Sequence, residues 1–254
     1  MAAVEKHTAV LLTKIDLEDP YGPVKVIEVP TPKSEVGEVL IRMEYQSVNP
    51  SDVLMLRVLY PGWIPKEGDF PKSLGHEGAG TIVEVGPGVM ALSKGQRVYP
   101  FIPEEGPRSV QGTWQEYIAI PELMCVPIPD QVSNEAAAQL FVNPGSAYFM
   151  VREFLPQAVG KYAVQSVAGS SRLPTTMELR YRKEEITGGE MAYGGFDCVG
   201  ASVTDLVVSC VKEEGLVDNY GIVGNEFPAP GLNNLMNRGV KLGGFFLRRQ
   251  VSKL

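Results

Sequence analysis

The sequence predicts an α/β chain in two parts, a partly open β-barrel over 1–150 and an incomplete parallel-sheet domain over 151–254. Three observations predict it. Short β-rich runs alternate with Gly- and Pro-bearing turns through about residue 130, the pattern of a small barrel. At Ser133 the pattern changes to a helical passage, SNEAAAQLFVNPGSAYFMVREFL. Beyond it KYAVQSVAG, FDCVG, VDNYGIVG and KLGGFFL read as apolar strands, the first of them a buried one.

The elements follow in order. TAVLLTKI, VKVIEV and EVLIRMEY are the first strands, separated by Asp-Pro, Tyr-Gly-Pro and Pro-Lys-Ser-Glu turns. Pro50 then leads a short helix, for which Ser51 or Asp52 is the expected cap. TIVEV alternates as a half-buried strand after the glycines of FPKSLGHEGAG, and GQRVYPF, GTWQEYIAI and MCVPIP add further strands. The helical passage opens at Ser133 or Asn134. It carries acidic Glu135 in its first turn, where the helix dipole favours negative charge, and is expected to break at Asn143-Pro144-Gly145.

Composition narrows the function classes. A hydrophobic share of 44% over 254 residues suits a sizeable core. A net charge of -7 argues against nucleic-acid or anionic-membrane binding. No run approaches the ~18 apolar residues of a membrane helix, so no membrane insertion is expected. Cys125, Cys198 and Cys210 are odd in number and widely spaced, which suits a reducing compartment and excludes a four-cysteine zinc knuckle. His7 and His76 are the only histidines and no GxSxG elbow is present, which leaves little material for a hydrolase triad. The start, MAAVEKHTAVLL, lacks the Arg-rich amphipathic character of a transit peptide, which keeps a cytoplasmic placement as an alternative.

Several phrases recur in a telling order: NPSD at 49–52, VLYPG at 58–62, GTW at 112–114, VNPGSAY at 142–148, YGIVGN at 220–225 and LMNRGVKLGGFFLRR at 235–249. Together they resemble the zinc-free medium-chain dehydrogenases/reductases, and among these the 2-enoyl thioester reductases. The resemblance covers 1 to about 171 and about 184 to 249. It implies a GroES-like barrel beside a Rossmann-type domain, NADPH as cofactor, and an enoyl-CoA or enoyl-acyl-carrier-protein substrate. It also implies a role in fatty-acid synthesis, a mitochondrial location and, for a full-length member, a homodimer. The implied reaction adds hydride to the β-carbon of a thioester-conjugated double bond and a proton to the α-carbon. That needs an acid beside the developing carbanion and a dry pocket.

The resemblance also assigns residues. Tyr60 is the proton donor it implies, since a phenol of pKa near ~10 stays protonated at neutral pH. The plainer alternative is a turn tyrosine packed beside Pro61 and Trp63. Asn49 stands where zinc-dependent relatives carry a cysteine ligand, and the resemblance has it support the tyrosine and the nicotinamide; otherwise it is an Asx turn before Pro50. Asn143 is implied to contact NADP, or else serves as a turn residue beside Pro144. Trp114 lines the substrate pocket or is a barrel core residue. Ser170, the turn Tyr220, Gly221, Ile222 and Val223, and Phe245, Phe246 and Leu247 are the remaining implied cofactor contacts. In zinc-dependent relatives a GHE such as His76-Glu77 contributes a metal ligand. Zinc needs three or four convergent ligands, and the partner cysteine is absent here, so His76 is read as structural and no metal is expected.

The second part departs from the family pattern. Dinucleotide domains place a Gly-rich turn and a helix N-terminus after the first strand, to meet the pyrophosphate. Ala163 to Val167 supplies that strand and Gly169, Ser170 and Ser171 the turn, but RLPTTMELRYRKEE follows with Pro174 where a helix should run. Only 33 residues separate Val164 from Cys198, about the length of one βαβ unit. The first helix and the second and third strands are therefore expected to be deleted, with sheet edges exposed, and with them the basic residue that reads the NADPH 2′-phosphate. GFFLRRQVSKL is expected to stop short of a further helix and of strands returning to the barrel. Quinone reduction, or a non-catalytic binding role for a truncated isoform, is the alternative function.

Overall fold

The computed structural model describes residues 4–60, 63–66, 68–102, 112–154, 163–165, 189, 191–222 and 231–251. The chain divides into two units, Met1–Pro144 and Gly145–Leu254.

The first unit is built from two antiparallel sheets. β1 (Lys6–Leu12) lies between β2 (Val24–Pro30) and the short β4 (Lys72–Ser73). The larger sheet runs β7-β3-β5-β6-β8, from β3 (Glu38–Gln46), β5 (Gly78–Val85), β6 (Arg97–Pro100), β7 (Tyr117–Pro121) and β8 (Cys125–Pro127). Period-2 alternation decides which face is buried: Ile41 and Met43 point into the core while Arg42 and Glu44 face water. Val39, Ile41, Ile82, Val98, Ile118 and Ile120 fill that core. Register shifts at Leu40/Ile41 and Met43/Tyr45 bend β3 against β5, as a closing barrel requires. Residues 112–116 join the two sheets. Trp114 O accepts from Val10 N (2.8 Å), Glu116 N donates to Thr8 O (3.0 Å), and Glu116 O accepts from Met43 N (2.8 Å).

Between β3 and β4 stands α1 (Pro50–Leu56). Its cap is Asn49, not Ser51 or Asp52 as the sequence suggested. Asp52 occupies the third helical position and reaches back, its Oδ2 accepting from Asn49 N at 2.7 Å. The helix ends in a Schellman arrangement, with Leu59 N donating to Leu54 O and Val58 N to Met55 O. That motif places Val58 in the left-handed region at φ 55, where glycine is the usual occupant and a β-branched residue is strained.

The helical passage is divided differently from the expected single break. α2 (Asn134–Ala137) is capped by Ser133, whose side chain accepts from Ala136 N at 3.2 Å. A π-helical turn, Phe141–Gly145, holds Pro144, and α3 (Ser146–Phe154) follows. Pro144 has no N–H to donate, so the regular ladder cannot run through it and the turn widens instead.

The second unit contains a parallel sheet in the order β12-β11-β10-β9. Its strands are β9 (Ala163–Gln165), β10 (Ala192–Asp197), β11 (Val211–Asn219) and β12 (Lys241–Gly244). Helices α4 (Ala201–Cys210), α5 (Leu232–Met236) and α6 (Leu247–Val251) complete the described elements. Val203, Val207 and Val208 form one face of α4 and pack on Val211, Val217 and Val240. The deletion expected between β9 and β10 does not interrupt this sheet, because the two pair directly with Val164 opposite Gly195. Among the described residues β9 is thus an end strand.

Candidate active site

In the first unit the phrases singled out in the sequence converge on one buried carboxylate. Glu77 has no exposed surface. Its Oε2 accepts from Ser47 Oγ and Asn49 Nδ2, each at 2.9 Å. Its Oε1 accepts from the backbone N–H groups of Phe141 (2.9 Å) and Val142 (2.5 Å). Four donors match the roughly four lone-pair sites of a carboxylate, which is what keeps a buried charge tolerable. Thr113 Oγ1 donates to the Glu77 backbone oxygen at 2.7 Å.

This arrangement depends on close backbone approach. A Cβ on Gly112 would sit 2.0 Å from Leu74 O, and one on Gly75, at φ 96, would sit 2.4 Å from Thr113 Oγ1. The glycines of GTW and LGHE therefore let two loops lie back to back.

Asn49 is buried, and its amide also donates to Ser47 Oγ at 2.9 Å. Asn143, exposed, reaches Asn49 Oδ1 with its amide at 3.5 Å, so the two asparagines assigned to the cofactor do lie together. Asp52 is fully buried and its second oxygen, Oδ1, stands 2.6 Å from His76 Nδ1. The His76 ring in turn lies against the Tyr60 ring, centroids 5.4 Å apart and planes at 32°. Tyr60 and Trp114 both pack on the cluster Leu12, Met55, Leu56 and Leu74, with Trp63 and Phe70 beside them. Trp114 Nε1 donates to Ser47 O at 2.9 Å, which fixes the indole plane. The result is an apolar wall with one phenol and one imidazole set into it.

The second unit gathers its assigned residues at the carboxyl ends of neighbouring strands, where open parallel sheets bind ligands. Tyr220, Gly221 and Ile222 follow β11; Phe245, Phe246 and Leu247 follow β12, and Phe245 N donates to Asn219 O at 2.9 Å. Gly221 lies against Cys198, while beyond Gly244 the space is open. Asp197, buried at the end of β10, accepts from Val199 N (2.8 Å), Gly200 N (3.3 Å), Thr204 Oγ1 (2.5 Å) and Asn219 Nδ2 (3.3 Å). Asp197 thus takes up N–H groups at the start of α4, so a phosphate would have to be met elsewhere. The open space at Gly244 lets a ligand approach the backbone at these strand ends. The Gly169–Ser171 turn, with Ser170, and Val223 lie outside the described residues.

Sequence reasoning missed the two residues that organise the barrel site. Glu77 was weighed beside a possible metal ligand and Asp52 only as a cap. The signal for Glu77 was there, as a single charge within the apolar, glycine-rich run LGHEGAGTIV, since such a charge has to be paired once buried. Among the described residues no group of three or more His, Cys, Asp or Glu is placed to hold a metal ion, and no helix is long and apolar enough to cross a membrane.

Residues 35–130 match the alcohol dehydrogenase GroES-like domain. A mitochondrial enoyl-[acyl-carrier-protein] reductase of Caenorhabditis elegans is 25% identical over 256 residues, covering 85% of this chain and 71% of that protein. Its Arabidopsis thaliana namesake is 25% identical over 274 residues, covering 92% and 70%. That second alignment is longer than the 254-residue chain itself, so it opens gaps within this chain. The Mus musculus namesake is 32% identical over 152 residues, covering 60% of this chain and 38% of that protein. Among solved structures, a putative NADPH:quinone reductase from Bacillus thuringiensis superimposes with a TM-score of 0.80 at 21% identity, covering 98% of this chain and 82% of that one. A mutant enoyl thioester reductase from Candida tropicalis gives 0.73 at 18% identity, covering 98% and 84%.

Proposed function

We propose that this chain is an oxidoreductase of the medium-chain dehydrogenase/reductase type and, by descent, a reductase of 2-enoyl thioesters with Tyr60 as its proton donor. The observation that carries the reading is the setting of Tyr60. Its ring stands with Trp114 on an apolar wall and is faced by an imidazole tied to a buried carboxylate. The names of the nematode, plant and mouse relatives support the thioester substrate.

Bound NADPH would supply the hydride for such a reduction, and in the parallel-sheet unit the residues that would hold it are Tyr220 to Ile222 and Phe245 to Leu247, at the carboxyl ends of β11 and β12. Tyr60 gives its hydroxyl proton to the substrate α-carbon. The apolar wall keeps water from the carbanion-like carbon, and the Glu77 network holds Asn49 and the 141–142 turn in place. Substrates are an enoyl-CoA or an enoyl-acyl-carrier protein. A mitochondrial location follows the relatives' names, and pairing of β12 edges is the route to a homodimer.

The gaps opened by the plant alignment support a second reading, in which this form has lost much of its turnover and acts as a binding partner. One experiment separates the readings: NADPH oxidation with crotonyl-CoA, and with a quinone, by the chain and by Tyr60→Phe. The thioester reading expects crotonyl-CoA turnover that falls about 10²-fold or more in Tyr60→Phe, with quinone turnover little changed. Equal loss with both substrates, or no loss with either, overturns the role of Tyr60. Undetectable NADPH binding by a folded chain favours the binding-partner reading.

A further inference from the structure

We propose that His76, held by Asp52, is a positioning residue for Tyr60; this rests on the reading of Tyr60 as the proton donor. Three restraints converge on that tyrosine. The first is the backbone. Tyr60 follows the Schellman end of α1 by a single residue, and Val58 is locked at φ 55 within it. Residues in such sparsely populated conformations persist only where the surroundings over-determine them. The second is the apolar cluster of Leu12, Met55, Leu56 and Leu74, which takes up part of the Tyr60 side chain. The third is the His76 ring, tilted 32° over the phenol at 5.4 Å.

A ring contact positions its partner only if the ring itself is fixed. Asp52 does this. Its carboxylate is fully buried and both oxygens are committed, Oδ2 to Asn49 N (2.7 Å) and Oδ1 to His76 Nδ1 (2.6 Å). A carboxylate only accepts, so Nδ1 carries the hydrogen and the imidazole is held in one orientation. The same Asp52 therefore ties Asn49, the capping residue of α1, to the ring that faces Tyr60. His76 has no other partner among the described residues that would explain its place. Its side chain retains 13% exposure, and among the described residues no ligand set stands near it for a metal. Merely filling the core would not require a hydrogen-bonded, partly exposed imidazole against the one phenol of the wall.

The test is a double-mutant cycle. His76→Asn keeps an N–H donor for Asp52 and removes the ring. It is expected to lower kcat for crotonyl-CoA about tenfold to a hundredfold with KM for crotonyl-CoA and NADPH little changed, since misplacing a reacting group costs on that order. In a Tyr60→Phe background the same change is expected to have no further effect, because a residue that acts through Tyr60 has nothing left to act on. Losses that multiply in that background, a rise confined to KM, or wild-type kcat in His76→Asn each overturn the proposal. If the chain shows no thioester turnover, the functional reading fails but the positioning claim is still read by NMR. The 13Cζ-tyrosine resonance missing in Tyr60→Phe identifies Tyr60, and it is expected to move in His76→Asn. Should His76→Asn not fold, the unmutated chain decides, through NOEs between the His76 and Tyr60 ring protons. An unmoved resonance or absent NOEs sink the idea.

Discussion

Each unit of the molecule holds a fully buried carboxylate that gathers several donors, Glu77 in one and Asp197 in the other, and the two are satisfied in opposite ways. Glu77 in the barrel draws its donors from Ser47, Asn49, Phe141 and Val142, segments distant in sequence. Asp197 in the parallel-sheet unit accepts, among the described residues, from the nearby residues 199, 200 and 204 and from Asn219 further along. Glu77 is therefore a tie between parts of a fold, and Asp197 is mainly a local cap on the strand-to-helix turn. The lesson is that equal burial does not mean equal leverage. A charge satisfied by distant segments makes every one of them depend on the others.

The contrast yields a graded set of expectations. Glu77→Ala strands four donors at once and is expected to cost at least about 3 kcal/mol. Both tryptophans, Trp63 and Trp114, lie in the first unit, so urea unfolding followed by tryptophan fluorescence reads this loss directly. Asp197→Ala is expected to cost about 1–3 kcal/mol. It should move the far-UV circular dichroism transition and leave the tryptophan-detected midpoint in place. If Asp197→Ala lowers the tryptophan midpoint as far as Glu77→Ala does, the distinction between tie and cap is lost.

A third expectation concerns pH. Burial, with some help from Glu122, pushes the Cys125 thiol up to about 12 from an ordinary value of 9. The folded barrel thus holds on to a proton that the unfolded chain releases. The stabilisation is complete below pH 9 and is lost as pH rises from there toward 12. Cys125→Ala should flatten this part of the tryptophan-detected stability curve, and an unchanged slope would refute it. The smallest effect is expected at Val58. Val58→Gly relieves a left-handed β-branched residue and should raise the same midpoint by up to about 1 kcal/mol, less what the freer unfolded chain takes back. A clear destabilisation would mean that Val58 is not strained.

Much of this was legible beforehand because it rests on short-range rules. The β-rich run EVLIRMEY marked β3, and Ser133 with Glu135 marked the start of α2. The α/β class and the phrases that meet around Asn49, Tyr60 and Trp114 were readable from order and spacing. What escaped is what depends on tertiary pairing. Asp52 looks like a cap in sequence, and it is the contact with His76, 24 residues on, that gives it a second task. The Asn143-Pro144-Gly145 phrase reads as a break, but Glu77 accepts from the two N–H groups just before it and the chain takes a wider turn. That β9 pairs directly with β10 was not legible, because strand order is not written in strand sequence.

The two N–H groups that Phe141 and Val142 lend to Glu77 have a consequence for synthesis. The matched GroES-like domain ends at residue 130, but its buried carboxylate is not satisfied until eleven or twelve residues later. A chain emerging from the ribosome can pair β3, β5 and β7 and still hold an anion in its interior with half its donors unmade. Completion of the barrel therefore waits for the helical passage to be translated, and the natural boundary for a folding fragment lies past residue 142 rather than at the end of the family domain.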